Sequence, residues 1–259
     1  MDFIKYFHSQ INNPQNMKST VSFLIIAIAI IISFLLIGNA YKYKFKTAEN
    51  ITVTGSAEKD FISDQIVWTA NYNRKMMDLK SAYSLLKQDE TTVRDYLKNK
   101  GIANAEMVFS AISIEKEFNT RYDADGKQVG SDFTGYNLKQ HVTVDSKNID
   151  KVEKISREIT ELIQSGIELN SASPSYYYTK LSELKIDLLA KASADAKLRG
   201  ETIAKNAGGA LGKIKKATMG VFQITGQNSN EDYSYGGVFN TSSKNKTASI
   251  TMKIDFAVE

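Results

Sequence analysis

The 259-residue sequence contains no cysteine. That absence excludes a disulfide framework, a thiolate metal site, a cysteine nucleophile and a lipid-modified N-terminal cysteine, and it leaves the redox compartment open. Histidine is almost as scarce, with only His8 and His141. A single histidine beyond the N-terminal tail cannot form a histidine metal triad or an imidazole acid–base pair within one chain. An excess of one charge is also missing from most of the chain. The formal net charge is +4, yet Lys5, Lys18, Lys42, Lys44 and Lys46 face only Asp2 in residues 1–46. Five of the 33 basic and one of the 29 acidic residues are thereby used, leaving 28 of each sign in residues 47–259. No polybasic groove remains to neutralise phosphates, which argues against nucleic acid as a partner.

One long apolar run is present. Residues 21–38, "VSFLIIAIAIIISFLLIG", are eighteen residues without a charge. At about 1.5 Å per residue a helix of that length spans roughly 27 Å, close to the thickness of a hydrocarbon core. Val21, Phe23, Leu24, Phe34, Leu35 and Leu36 are its expected lipid-facing anchors. Ser22 and Ser33 can hydrogen-bond back to their own helix, and Tyr41 and Tyr43 with the adjacent lysines suit an interfacial belt. The expected organisation is a tail (1–20), a transmembrane signal anchor (21–40), a juxtamembrane linker (41–49) and a domain (50–259). A signal peptide cut after Ala40 is the alternative, since Gly38-Asn39-Ala40 supplies small residues at the cleavage positions. The length of the run and the twenty residues before it favour an uncleaved anchor. Lysines flank both sides, so the positive-inside rule does not decide orientation.

Beyond the anchor, residues 51–57 alternate as a strand, and a second strand is expected over 61–72 with Ile62, Ile66, Trp68, Ala70 and Tyr72 on one face. Asp78 caps a helix to Asn99, with Leu79, Tyr83, Leu86, Val93, Tyr96 and Leu97 as its apolar stripe. A strand over 105–118 follows, then a polar Asp-Gly loop, "YDADGKQVGSD", and a returning strand in which Tyr136, Leu138, Val142 and Val144 alternate. A helix over 148–165 carries Ile149, Val152, Ile155, Ile159 and Leu162 on one face, and a strand over 167–179 closes the unit. This order predicts an α+β fold: an antiparallel sheet with helices on one face and an internal β-α-β repeat in the ferredoxin-like split pattern. A long helix with Leu181, Leu184, Leu188, Ala192 and Ile203 near one face comes next. Its Ala190, Ala194 and Ala196 permit close approach to a neighbour. A β-hairpin ends the chain, with Ile250, Met252, Ile254 and Phe256 alternating. Residues 226–246 between its strands are polar and too long for a tight turn.

Candidate chemistry is sparse. Thr54-Gly55-Ser56-Ala57 lacks the second glycine and the Lys-Ser/Thr pair of a phosphate loop and reads as a glycine in a strand. Asp123-Ala-Asp125-Gly126 lacks the third oxygen ligand and the twelfth-position glutamate of a calcium loop, so a hairpin turn explains it. His141 falls on the polar face of its strand. Glu115 and Glu117 are a carboxylate pair two residues apart on a strand face, and Lys213, Lys215 and Lys216 read as a solvated edge. Neither catalytic residues nor cofactor or metal ligands emerge, and a non-enzymatic role is expected. Tyr176-Tyr177-Tyr178 after Pro174 is an amphipathic cluster suited to subunit contacts. Tyr233, Tyr235 and Phe239 in the long loop join it as candidate oligomer contacts.

The order of several segments resembles the SIMPL-domain family, periplasmic and outer-membrane immunogen-like proteins of largely unknown function. In "ITVTGSAEKDFISDQIVW", Val53, Gly55 and Asp64 match the family's opening Val-x-Gly-x-Gly strand and later Pro-Asp. Ala57 replaces the second glycine and Ser63 the proline. "GYNLKQHVTV", "SGIELNSASPSYYY", "AKNAGGALGKI" and the closing "ASITMKIDFAVE" are similar to later family segments. The resemblance implies an α+β fold, an extracytoplasmic location and large ring-like or hollow homo-oligomers without established catalytic residues. The anchor is a variation on that pattern, and the two together lead us to expect a periplasmic domain held at the bacterial inner membrane in a ring-, cage- or channel-like homo-oligomer. The alternative is a ligand-binding or stress-response module that uses the 226–246 loop, its small-molecule ligand unknown.

Overall fold

The computed structural model describes residues 14–46 and 50–259. The tail through residue 13, linker residues 47–49, and the side chains of Val21, Lys18, Tyr43, Lys44 and Lys46 lie outside the described residues. Helix α1 (Pro14–Lys46) contains the apolar run. Its Ser22–Lys42 stretch is long and apolar enough to cross a membrane, and no residue of that window is buried. Ser33 Oγ donates to the Ala29 carbonyl at 2.8 Å, so this hydroxyl is satisfied inside its own helix.

The remaining elements are β1 (Asn50–Ile62), β2 (Gln65–Met76), α2 (Leu79–Asn99), β3 (Met107–Phe109), β4 (Ser113–Tyr122), β5 (Gln128–Ser146), α3 (Ile149–Glu158, continued by a 3₁₀ segment to Ser165), β6 (Glu168–Ser171), β7 (Ser175–Tyr177), α4 (Leu181–Asn206), β8 (Leu211–Met219), β9 (Gln223–Gly226) and β10 (Asn245–Val258). The chain is α+β with two sheets rather than one. One sheet has the order β1-β10-β8 with β9 also on β10, and the other has β3-β5-β2-β6 with β4 on β5 and β7 on β2. The chain forms two compact units. One comprises residues through Gly55, Ala196–Thr218 and Lys253–Glu259; the other comprises Ser56–Asp195 and Met219–Met252. In the first, Thr52 Oγ1 donates to Asp255 at 2.7 Å.

The larger unit holds the main core. Strands β2 and β5 pair antiparallel from Ile66↔Ser146 to Met76↔Tyr136. Period-two alternation sends Ile66, Trp68, Ala70 and Tyr72 of β2, and Leu138, Val142 and Val144 of β5, to one face. Helices α2 and α3 cover that face. Trp68 is buried, and its indole N–H donates to Ser171 Oγ at 3.0 Å, which in turn donates to the Ser156 carbonyl at 2.7 Å. Every expected inward residue of α3 and its 3₁₀ extension is buried: Ile149, Val152, Ile155, Ile159 and Leu162.

Several expectations are corrected. Ile62 is exposed and ends β1, because a turn at Ser63-Asp64 separates it from Ile66. The Asp64 carboxylate fixes that turn by accepting from the Thr179 N–H and hydroxyl, both at 2.7 Å. On α2 the inward row is Ala82, Leu86, Asp89, Val93 and Leu97. Tyr83 lies one position off this 3.6-residue period and faces solvent, and Leu79, though in step with the row, is exposed as the first residue of the helix. Residues 105–118 are two strands, interrupted at Ser110–Ile112, and 167–179 are likewise split, with Pro174 in the gap where it need not donate. On α4, Leu184, Leu188, Ala192 and Ala196 recur at four-residue spacing and are buried, whereas Ile203, Ala190 and Ala194 are exposed. The Asp-Gly turn is only residues 123–127, with Asp123 Oδ1 accepting from the Asp125 and Lys127 N–H groups. The rest of that polar stretch continues the β4–β5 ladder.

Gly135 sits where β5 leaves β2, with φ +134°, and a Cβ there would come within 2.8 Å of the Met76 carbonyl oxygen. Gly135→Ala should destabilise the protein by about 1–3 kcal/mol, the usual cost of such backbone strain. Urea unfolding followed by fluorescence would show it, and an unchanged midpoint would mean that β5 does not turn through this conformation.

Candidate functional site

Three features of the larger unit are candidates for function: a polar network under α2, a projecting β-arm, and the long loop before β10. The network begins at Gln140, which takes an inward position on β5 between Leu138 and Val142 and is buried. Its carbonyl accepts from the Tyr72 hydroxyl at 2.8 Å, and its amide donates to Glu90 Oε2 at 3.0 Å and to the Ser110 carbonyl at 2.9 Å. The Ser110 carbonyl lies in the interruption between β3 and β4. Glu90 also accepts from Lys87 at 2.6 Å and Arg94 at 2.8 Å, and the Arg94 guanidinium stacks 4.2 Å from the Phe109 ring centroid. These side chains line an open cleft of about 500 Å³ with Ala111 and Ile112.

Burial alone would raise the Glu90 carboxyl, but hydrogen bonds from Lys87, Arg94 and Gln140 outweigh it and hold it down at about 2. Burial, then the charges of Glu90 and Asp89, push the Tyr72 phenol upward. The network therefore keeps Tyr72 protonated and Glu90 ionised, with each already bonded, and its polar groups serve packing more than proton transfer. Because the folded Glu90 value lies below its ordinary 4.5, its contribution is present above about pH 4.5 and is lost as pH falls towards 2. A shift of this size is linked to at most roughly 3 kcal/mol, less whatever solvent screening removes. Glu90→Gln should flatten the loss of thermal stability between pH 5 and pH 2.5. An identical slope in both proteins would place the acid-labile group elsewhere.

The second feature is built by an excess of strand length. Strand β5 spans 19 residues, but β2 pairs only with Tyr136–Ser146 and β3 only with Val142–Val144. Residues Gln128–Gly135 pair with β4 alone. The result is a two-stranded arm. Ile114↔Leu138, Lys116↔Tyr136 and Phe118↔Phe133 share the face that carries the core further in. Phe118 and Phe133 meet edge to face at 5.6 Å, and Phe133 and Tyr136 at 5.1 Å. Ile114, Phe118 and Tyr122 are nevertheless 53%, 55% and 64% exposed. The opposite face is ionic: Glu115 pairs with Lys139 at 2.6 Å, Arg121 with Asp132 at 3.0 Å, and Glu117 with Lys75. Glu115 and Glu117 are thus held by lysines on the polar side of the arm.

The loop over 227–244 is wired to itself. Glu231 accepts from the Gly226 N–H at 2.9 Å and from the Asn240 amide. Gln223 donates to the Ser234 carbonyl and accepts from the Val238 N–H. Lys246, 2% exposed, donates to the Asn240 carbonyl from beneath. Burial lowers its ammonium to about 8, against the opposing charge of Glu231. These polar side chains are spent on holding the loop.

The expected site residues disperse. Phe23, Leu24, Phe34, Leu35 and Leu36 are exposed along α1, while the Val21 side chain lies outside the described residues. Tyr176 packs against the core, and burial, then its hydrogen bond to Glu153, push its phenol up to about 12. Tyr177 and Tyr178 are half-buried, the latter against Phe61 at 4.8 Å. Tyr233, Tyr235 and Phe239 are exposed on the loop. His141 is exposed, its N–H donating to Ser110 Oγ at 3.1 Å. The arm leaves little trace in the sequence, because the apolar positions of β5 change parity between Phe133 and Tyr136 and no single alternation runs through it.

The SIMPL family model, described as a protein of unknown function (DUF541), matches residues 51–256. No curated protein matches the chain.

Proposed function

The chain is a member of the SIMPL family, and on that premise we propose that it is a membrane-anchored, non-enzymatic protein whose domain self-assembles in the bacterial periplasm. The observation that carries this reading is the β4–β5 arm. It presents an uncovered aromatic face and strand edges without a partner among the described residues. Exposed edges of this kind pair with other chains unless they are blocked or covered, and contiguous apolar surface marks an interaction site. The Ser22–Lys42 helix would hold each copy at the bilayer, so that assembly arrays many anchors on one membrane in a ring, cage or channel-like scaffold. The sheet order β3/β4-β5-β2-β6/β7 with both helices on one face supports reading this sheet as the split ferredoxin-like pattern. Amine-reactive cross-linking of the full-length protein in its native membrane tests the proposal. A ladder of multiples of the 28.9 kDa chain is expected; a single band at the protomer mass under saturating reagent contradicts it.

A further inference from the structure

We propose that the free edge of β4 pairs antiparallel with β4 of a second copy, about a two-fold axis through Phe118. The inference rests on the self-assembly reading and names one surface of it: an isologous pair closes at two copies, so a ring or cage joins such pairs through further contacts. The geometry of the strand is the first support. The two irregularities in the β4–β5 ladder come from extra residues on β5, Thr134 and Val129, so β4 itself runs without insertion from Ser113 to Tyr122. Its other edge has no strand partner among the described residues. An uninterrupted edge can accept another strand by continuous backbone hydrogen bonding.

The second support is self-complementarity, which an isologous contact demands. With the axis at Phe118, Glu115 lies opposite Arg121 of the second copy, and by symmetry Arg121 lies opposite Glu115. Ile114 meets Tyr122, Lys116 meets Thr120, Glu117 meets Asn119, and Phe118 meets itself. No like charges oppose one another. Moving the axis one residue towards the N-terminus sets Glu117 against Glu117, and moving it one residue the other way sets Glu115 against Asp123. An axis between two residues would turn the aromatic face of one copy to the ionic side of the other. Placed at Phe118, the pairing joins the two exposed apolar faces. It also extends the existing ion pairs Lys139–Glu115 and Arg121–Asp132 into one row of alternating sign across the axis.

The test uses full-length protein in mild detergent, with mass followed over a dilution series. Glu115→Arg and Arg121→Glu each place like charges opposite one another twice, and each alone should weaken association about tenfold or more. Mixing the two variants one to one restores opposite charges at both positions, so the mixture should associate like the unaltered protein. The chain has no cysteine of its own, so Phe118→Cys should yield a disulfide-linked dimer on mild oxidation. Thr120→Cys should not, because its counterpart lies roughly 13 Å away at the usual rise per residue. If the unaltered protein associates but neither reversal weakens it, or if Thr120→Cys cross-links as readily as Phe118→Cys, this interface is wrong while self-assembly stands. If the unaltered protein is monomeric throughout, both fall.

Discussion

Arg74→Met should destabilise the protein by about 3–5 kcal/mol, the cost of leaving a buried charge without its partner. Arg74 on β2 holds Asp89 with two hydrogen bonds, Nε–Oδ2 at 2.5 Å and Nη2–Oδ1 at 2.7 Å. The Asp89 side chain is only 5% exposed, because it occupies an inward position of α2 among Leu86, Val93 and Ala82. Its hydrogen bond, ahead of the cost of burial, raises the Arg74 guanidinium further, so the arginine stays charged throughout the working range. Removing both partners is a different experiment. Arg74→Met with Asp89→Leu should recover most of the loss, since buried ion pairs are often replaceable by apolar groups of similar volume. Urea unfolding of the full-length protein in detergent measures both, with Trp68, the only tryptophan and a buried one, as the probe. A single variant that loses less than about 1 kcal/mol would show the pair to be solvated in the manner of a surface bridge.

Ile28→Arg with Ile31→Arg should release the protein from the membrane. Both residues lie in the middle of the Ser22–Lys42 stretch, and both are exposed among the described residues. Arginine near the centre of a spanning helix costs about 2.5–3.5 kcal/mol on insertion scales, and the two lie too far from the helix ends to escape easily into headgroups. Fractionation after an alkaline wash reads the result. The unaltered protein is expected in the pellet and the variant in the supernatant. A variant that stays in the pellet would mean that another surface binds the membrane, and α1 would lose its assigned part.

Local periodicity carried the sequence reading furthest. The inward row of α3 and the core faces of β2 and β5 follow from spacing alone, because each is one uninterrupted amphipathic element. Helix α2 is legible only in part, because its buried row includes a charge at its middle. Asp89 is a charged residue on the buried row, and only its partner Arg74, fifteen residues away and on another element, makes that placement affordable. The split of the expected 105–118 strand at Ser110–Ile112 is tertiary too, since Gln140 takes up the Ser110 carbonyl. The arm shows the limit most plainly. Phe118, Tyr122 and Phe133 look like ordinary strand residues, and nothing local reveals that β2 stops pairing at Tyr136. Tyr176 belongs to a run of three tyrosines whose composition suits a surface, yet the pairing of β7 with β2 packs it against the core.

Self-assembly is tested most directly by sedimentation of the full-length protein in mild detergent, with the detergent contribution matched out. The account predicts a protein mass several times the 28.9 kDa of one chain, persisting on dilution. A sedimenting mass of one chain at every concentration would contradict it.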